Sequence, residues 1–464
     1  MSFTSNLFLT VLLPVTFGFV MLFRKNLTCQ NVFLLLINIT TLLFFGLSGI
    51  ILLSIMCVLD YFFIRLIQLK NPSKVATLVF ISALLLNVAP LLLFKYTGFV
   101  FETINSFFGT VLLQPQWIAP VGISFFTFQA LSLLSDVKTR KITYRPKLFE
   151  IVFYLTFFTT ITSGPIVRFD VIHSQLECRK IEAGKINSGL TRLVIGLGKK
   201  VLLANYLAVY VEDVFSYTGI NSLSVPAYWL GSIAFTLQLY LDFSGYSDMA
   251  IGISEIIGFK IPENFNYPYT AKNIGDFWRR WHISLSQWFR DYIYIPLGGN
   301  RVSIPRHILN LFVVWLLTGI WHGANWTFIA WGLMYFLLLV FEKYVPKAAS
   351  FFKTHFIGHL YTLFFVNLLW VFFRAPSINA ACVFVARMFG AGSIGTPVET
   401  ATVQIIPFLI ISAICCTTIT KKTASLKENR IIKVLKPIAL SCVLVLSIFA
   451  ISNSSVTPFI YGNF

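Results

Sequence analysis

Of 464 residues, 57% are hydrophobic and only 12% charged, against about 25% charged in a soluble domain, so the chain is not built as a water-soluble globule. Its formal charge of +18 lies mostly in short stretches between apolar runs. That placement fits basic residues held on the cytoplasmic side and drawn to anionic lipid, and nothing in the chain resembles a nucleic-acid module.

Apolar runs recur from end to end, and the pattern predicts an all-α, polytopic membrane protein of roughly eleven transmembrane helices with one or two interfacial helices. Residues 7–23 form the first run. No positive charge precedes it and Arg24 and Lys25 follow it, which places the N-terminus outside the cytoplasm. Residues 31–65 are too long for one span. Gly46 and Gly49 near their middle predict a helical hairpin that returns to the cytoplasm at Arg65, Lys70 and Lys74. A span over residues 75–94, a mixed external stretch over 95–117 and a span over 119–137 follow. The last carries Ser124, Thr127, Gln129 and Asp136, and Lys138, Arg140, Lys141, Arg145 and Lys147 mark the cytoplasm after it.

Residues 148–163 are the next apolar run, 166–187 a polar loop, and 189–215 a tilted or interfacial helix. Residues 226–258 are apolar at both ends but read YLDFSGYSDMAIG in the centre. Asp242, Ser244, Ser247 and Asp248 are costly within a membrane unless they face protein or water, or lie near an aqueous end of the span. Further spans are expected at 357–373, 403–419 and 434–451. One domain, 1–464, is the simplest organisation: N-terminal spans to residue 163, a core over 164–343, and C-terminal spans over 344–464.

Several familiar chemistries find no support. The seven cysteines are scattered without CxxC spacing, so no disulfide, metal site or catalytic thiol is assigned; Cys415 and Cys416 offer at most a lipidation site. Gly390, Gly392 and Gly395 spell GxGxxG, but between membrane spans rather than within a βαβ unit. His355 and His359 have metal-pair spacing without an acidic third ligand, and are expected at the surface. There is no GxSxG elbow and no Walker A sequence.

The informative stretch is residues 264–331. Asn273 is a good helix N-cap, with Asp276 three residues on. From there Trp278, Trp281, Leu285, Trp288 and Tyr292 recur at helical spacing, which predicts one interfacial amphipathic helix with Arg279, Ser286 and Arg290 opposite and His282 at the border of the two faces. Residues 308–341 exceed a single span and are interrupted by GIWHGANW. Trp315, Gly319, His322 and Trp326 are expected to share a face there, flanked by Thr318 and Asn325. An ionisable residue inside a membrane segment is a functional candidate, although a histidine satisfied by a neighbouring helix is the ordinary alternative. A neutral imidazole takes a proton from an alcohol attacking a thioester, and the developing oxyanion needs a donor. Asn325, an indole N–H or His282 would serve, and spacing does not choose among them.

NFNYPY, DFWRRWHISLSQWFRDYIYIPLGGNR and GIWHGANWTFIAWG resemble the signature of the membrane-bound O-acyltransferase family. Within it the chain is similar to the alginate O-acetyltransferase membrane subunits and related bacterial polysaccharide O-acetyltransferases. GISFFTFQALS (122–132), SGPIVRF (163–169) and LYLDFSGYSDMAIG (239–252) carry the likeness through most of the chain. The resemblance implies a multi-helix fold around a central funnel, in a bacterial cytoplasmic membrane. It implies that His322, in the family's WHG sequence, is catalytic and that His282 is its upstream polar partner. It also implies a cytoplasmic acyl thioester donor such as acetyl-CoA with no bound cofactor or metal, a cell-surface polysaccharide acceptor, and a secreted or membrane-anchored extracytoplasmic acyltransferase as partner. Arg279, Arg280, Arg290, Asn325, Trp326 and Trp281 are candidates for binding the donor or substrate. A sister group that adds D-alanine to teichoic acids is the alternative; YIPLGGNR and WHGANWTF favour the polysaccharide branch. A lipid-linked sugar transporter using Asp242 and Asp248, or a passive scaffold, are competing functions of other classes.

Overall fold

The computed structural model describes residues 3–44, 46–113, 115, 117–216, 223–345, 356–392, 400–419 and 430–453. His355 and Gly395 lie outside them. The described residues are helical, with no strand among them, and they gather into two compact units. One comprises the chain up to Leu193 with Met249–Pro262; the other comprises Val194–Asp248 with the chain from Glu263.

The first unit holds α1 (Phe8–Leu22), α2 (Leu27–Leu43), α3 (Leu47–Lys70), α4 (Lys74–Phe108), α5 (Ile123–Lys138), α6 (Leu148–Thr156) and α7 (Phe169–Glu177). Asn26 and Ser73 cap α2 and α4, their side chains accepting from Cys29 N at 2.9 Å and Ala76 N at 3.1 Å. The hairpin between α2 and α3 turns at Gly46, at φ 96°, a conformation that favours glycine. Residues 95–108, expected as an irregular external stretch, instead continue α4. Only Gly98 interrupts their helix-compatible sequence, and the helix stops at Gly109 in the left-handed region. Two buried asparagines of this unit are engaged: Asn87 donates to Asp60 at 2.7 Å, and Asn38 accepts the Phe158 main-chain N–H at 3.1 Å.

Two long helices supply residues to each unit: α8 (Ala183–Phe215) and α9 (Val225–Ile256). The first was expected to be tilted or interfacial; it is long and apolar enough to cross a membrane. The second unit adds α10 (Ile274–Arg280), α11 (Ile283–Phe289), α12 (Ile304–His322), α13 (Trp326–Tyr344), α14 (Ile357–Arg374), α15 (Ile378–Met388), α16 (Thr400–Cys415) and α17 (Arg430–Asn453). Among the described residues seven helices are long and apolar enough to cross a membrane, and four further apolar helices are shorter. The shorter ones fall below the roughly 20 residues that a straight span needs.

The α12–α13 pair positions one of the candidate histidines. The two helices approach until their backbones nearly touch. A Cβ on Gly319 would lie 2.6 Å from the Phe328 carbonyl oxygen, and one on Gly332 would lie 2.5 Å from that of Trp315. These obstacles are backbone atoms, so a methyl group must pry the helices apart. Gly332→Ala is therefore expected to destabilise the purified protein by about 1–3 kcal/mol, read as a lowered thermal midpoint in detergent. An unchanged midpoint would mean that the pair has slack at this crossing.

Candidate active site

The single amphipathic helix read from the tryptophan spacing is broken. α10 stops at Arg280 and α11 starts at Ile283. Between them Trp281 is extended and His282 is left-handed, with φ 42° and ψ 57°. A non-glycine residue adopts that conformation at a cost of roughly 1 kcal/mol and needs local compensation. The segment around Asn264 provides it. Asn266 N donates to the Arg280 carbonyl at 3.0 Å, and Ile283 N donates to the Asn264 carbonyl at 2.9 Å. The groups released by the break are thus rebonded across it. As expected, Asn273 caps α10, its side chain accepting from Asp276 N at 2.7 Å. The Glu342 carboxylate accepts from Ile274 N and Gly275 N at 2.6 and 3.0 Å, tying the same helix start to α13.

The break turns His282 inward, and only 1% of it is exposed. Its Nδ1 lies 3.0 Å from Asn264 Oδ1, which also accepts from Ser284 Oγ at 2.9 Å and Ser284 N at 3.3 Å. Asn264 Nδ2 donates to Ser247 Oγ at 3.2 Å. Three donors around one oxygen fix the amide's orientation, so Nδ1 carries the imidazole hydrogen and Nε2 is the ring's basic nitrogen. Burial lowers the pKa from 6.5 to about 3, so the ring is neutral at physiological pH.

His322 ends α12 and is wholly buried. Three aromatic rings meet it edge-on: Trp321 at 4.8 Å, Trp331 at 4.9 Å and Phe373 at 5.2 Å between centroids. Trp321 also lies 6.0 Å from the His282 ring, so one indole neighbours both candidate imidazoles. Gly323 admits Phe328, whose ring would be struck at 2.2 Å by a Cβ there. Phe243 closes on His282 at 4.7 Å. His307, on the same helix as His322, has each ring nitrogen within hydrogen-bonding distance of a tyrosine hydroxyl, that of Tyr294 at 2.7 Å and that of Tyr344 at 2.5 Å. That is the satisfied histidine of an ordinary helix interface.

The other candidates separate. Trp281 is fully buried and packs on Trp370 at 5.0 Å and Phe265 at 5.2 Å, forming the wall of the site. Trp326, expected on the His322 face, begins the next helix and is 46% exposed, because the turn after Gly323 ends the face. Asn325 is the α13 cap: its side-chain oxygen accepts from Thr327 N at 2.9 Å and its amide donates to the Pro376 carbonyl at 3.0 Å. Arg279 and Arg290 are exposed and Arg280 partly so. They pair with Asp276, Asp291 and Asp276 at 3.4, 2.8 and 3.0 Å. His359, expected at the surface, is half-buried with Nδ1 3.0 Å from the Ala271 carbonyl. Among the described residues no group of His, Cys, Asp or Glu side chains is arranged to hold a metal.

Spacing arguments missed the partners of the acidic pair on α9. Asp242 is buried with Lys200, and Asp248 pairs with Lys199 at 2.7 Å. Asp242 and Lys200 are buried, and the side chains of Asp248 and Lys199 are largely so. The lysines sit where α8 widens into a π-helical turn, Lys199–Ala204. A Cβ on Gly245 would lie 2.8 Å from the Gly196 carbonyl, so the two helices are close enough for both pairs to form. The signal in the sequence was the Lys199–Lys200 doublet inside an apolar run. Asn264, in NFNYPY, was likewise not singled out.

An all-helical, multi-pass membrane protein with two histidines sealed among aromatic rings is the class that fold and site define. The chain matches the model of the membrane-bound O-acyltransferase family over residues 37–385. It is 34% identical to the "Probable alginate O-acetylase AlgI" of Pseudomonas aeruginosa, over 85% of this chain and 76% of that protein. It is 35% identical to the peptidoglycan O-acetyltransferase of Helicobacter pylori, over 84% of this chain and 80% of the relative. The teichoic acid D-alanyltransferase of Bacillus subtilis is more distant, at 29% identity over 70% of this chain and 84% of its own. The chain therefore belongs to the membrane-bound O-acyltransferase family, and it is an O-acyltransferase.

The buried Lys200–Asp242 pair gives a stability test. Removing one partner leaves an uncompensated buried charge, so Lys200→Met alone is expected to cost about 3–5 kcal/mol, whereas Lys200→Met with Asp242→Leu costs far less. Thermal unfolding of the two variants checks this. Equal losses would mean that each side chain acts independently.

Proposed function

We propose that this protein moves an acyl group, acetyl in the first instance, from a cytoplasmic thioester such as acetyl-CoA towards hydroxyls of a cell-surface polysaccharide. It does so in the bacterial cytoplasmic membrane, with its N-terminus outside and an extracytoplasmic acyltransferase of the same pathway as partner. The observation that carries this function is that two buried imidazoles share one neighbouring indole, Trp321. The names of the 34–35% identical relatives, both O-acetylating enzymes of polysaccharides or peptidoglycan, support the acetyl donor and the glycan acceptor.

In this mechanism His322 is the general base. Its imidazole takes the proton of the attacking hydroxyl as the oxygen bonds to the thioester carbonyl carbon. The C–S bond then breaks, and the imidazolium returns the proton to the leaving thiolate. His282 assists through Nε2, which accepts a hydrogen bond from a second hydroxyl of the acceptor sugar and so holds the attacking one in place. With the Nδ1–H form fixed, a neutral His282 has no hydrogen on Nε2 to offer the oxyanion, and Asn325 is engaged as a helix cap. The donor role falls to an indole. Trp331 is fully buried beside His322, and its N–H has no hydrogen-bond acceptor among the described residues. Exposed Arg279 and Arg290 suit the phosphates of the donor at the water face. The more distant D-alanyltransferase relative keeps a D-alanyl donor as the second candidate.

His322→Ala is expected to abolish O-acetylation of the host's surface polysaccharide at normal protein abundance. Trp331→Phe keeps the ring, loses the N–H, and is expected to reduce the rate by about 100-fold. Ester content of purified surface polysaccharide reads both. Wild-type acetylation in His322→Ala would sink the catalytic assignment. Wild-type rates in Trp331→Phe would move the oxyanion donor elsewhere.

A further inference from the structure

We infer that Asn264 is the positioning residue of the site, setting which nitrogen of His282 faces the reaction. The inference deepens the proposed function and rests on its assignment of His282, but its geometric core does not. Asn264 is 0% exposed. Its side-chain oxygen gathers the His282 Nδ1–H, the Ser284 hydroxyl and the Ser284 N–H, while its amide is spent on Ser247 of α9. Flipping the amide would set its NH2 against the Ser284 N–H, so the clasp has one favourable orientation. The Asn264 main chain also accepts the Ile283 N–H at 2.9 Å. One residue therefore closes the helix break through its backbone and orients the histidine at that break through its side chain.

The chemical consequence is specific. With Nδ1–H held by a neutral amide oxygen, Nε2 keeps its lone pair for an incoming hydroxyl hydrogen. An amide adds no charge, so it orients the imidazole without making it strongly basic. A carboxylate at the same place would keep the acceptor and add a charge that stabilises the imidazolium. Of the ionic and imidazole groups on the elements around His282, Asp242 and Asp248 of α9 are paired with Lys200 and Lys199, Asp276 of α10 with Arg279 and Arg280, and Arg290 after α11 with Asp291; Glu263, beside Asn264 in the chain, is exposed, and His322 of α12 neighbours Trp321. All of them are unchanged in Asn264→Asp, so the new charge is the one electrostatic difference.

Two measurements test this. The first needs no activity. Nitrogen NMR of the full chain labelled with 15N-histidine, with His282 assigned by its loss in His282→Gln, is expected to show Nδ1 protonated and Nε2 bare. In Asn264→Ala both forms should be populated. An Nε2–H form in the wild type would overturn the inference outright. The second is thiol release from acetyl-CoA by host membranes carrying the full chain. Asn264→Ala is expected to lower kcat about tenfold or more, with KM for acetyl-CoA nearly unchanged. Asn264→Asp should restore much of kcat and move the acid limb of the pH profile upward, because a raised His282 pKa means that the ring protonates, and is lost as an acceptor, at higher pH. If Asn264 serves packing alone, Asn264→Asp falls with Asn264→Ala and the profile stays put, which would reject the positioning role. A wild-type rate in His282→Ala would reject the proposed function instead, leaving the NMR result to decide the clasp.

Discussion

The second unit is arranged around a helix that stops for two residues. An amphipathic segment at a membrane surface gains by running on, since every residue added closes another backbone hydrogen bond. Here α10 and α11 are parted at Trp281 and His282, and the missing bonds are replaced from the extended NFN segment. The exchange has a structural return. On an unbroken helix Trp281 and His282 would be adjacent positions about 100° apart, and they could not both face fully inward. With the break, Trp281 is 0% and His282 1% exposed. The wall of the aromatic cluster and a histidine of the site come from consecutive residues.

The neighbouring polar layer obeys the same economy of unpaired groups. Within a bilayer each buried charge must be met by protein. Asp242 and Asp248 are met by two consecutive lysines, which requires α8 and α9 to approach at Gly196 and Gly245 and coincides with a π-helical turn that begins at the lysines. Single π turns inside longer helices accompany functional sites often enough to be informative. Here the turn lies next to residues that clasp the site, since Ser247 lies one position before Asp248 and receives the Asn264 amide. These carboxylates are therefore explained as a neutralised frame for the site, which removes the main sequence feature that favoured a transport path.

What was legible in the sequence follows from how local each signal is. The all-helical class, the Gly46 hairpin, the Asn273 cap and the interruption before Asn325 rest on composition and turn residues within a few positions, and these reappear in the structure. The helix 95–108 was missed because a lysine and a glycine resemble a boundary until their neighbours are known; Lys95 donates to Ser124 at 3.3 Å on the next helix. The break at His282 was missed for a physical reason. Nothing in RRWHIS disfavours helix, and the left-handed turn is imposed by a segment nearly twenty residues upstream. Family resemblance named the two histidines, but not the residue that orients one of them or the indole that neighbours both.

The two imidazoles differ in how they are held, and that difference bears on the division of labour. His322 terminates a helix locked to its neighbour by backbone contact at Gly319 and Gly332, with aromatic edges on three sides. Its position is set by packing. Such a site suits a group that must change charge during a reaction shielded from water, where each electrostatic interaction gains strength. His282 is held by hydrogen bonds and has one nitrogen committed before any substrate arrives. A ring fixed in that way gains little by taking up a proton and much by directing a hydrogen bond. Under the proposed mechanism, acyl transfer to a sugar needs both services at once, a base that takes the attacking hydroxyl's proton and an acceptor that fixes a neighbouring hydroxyl. One histidine set by packing and another set by a clasp, both neighbours of a single indole, suit the two roles without competing for the same proton.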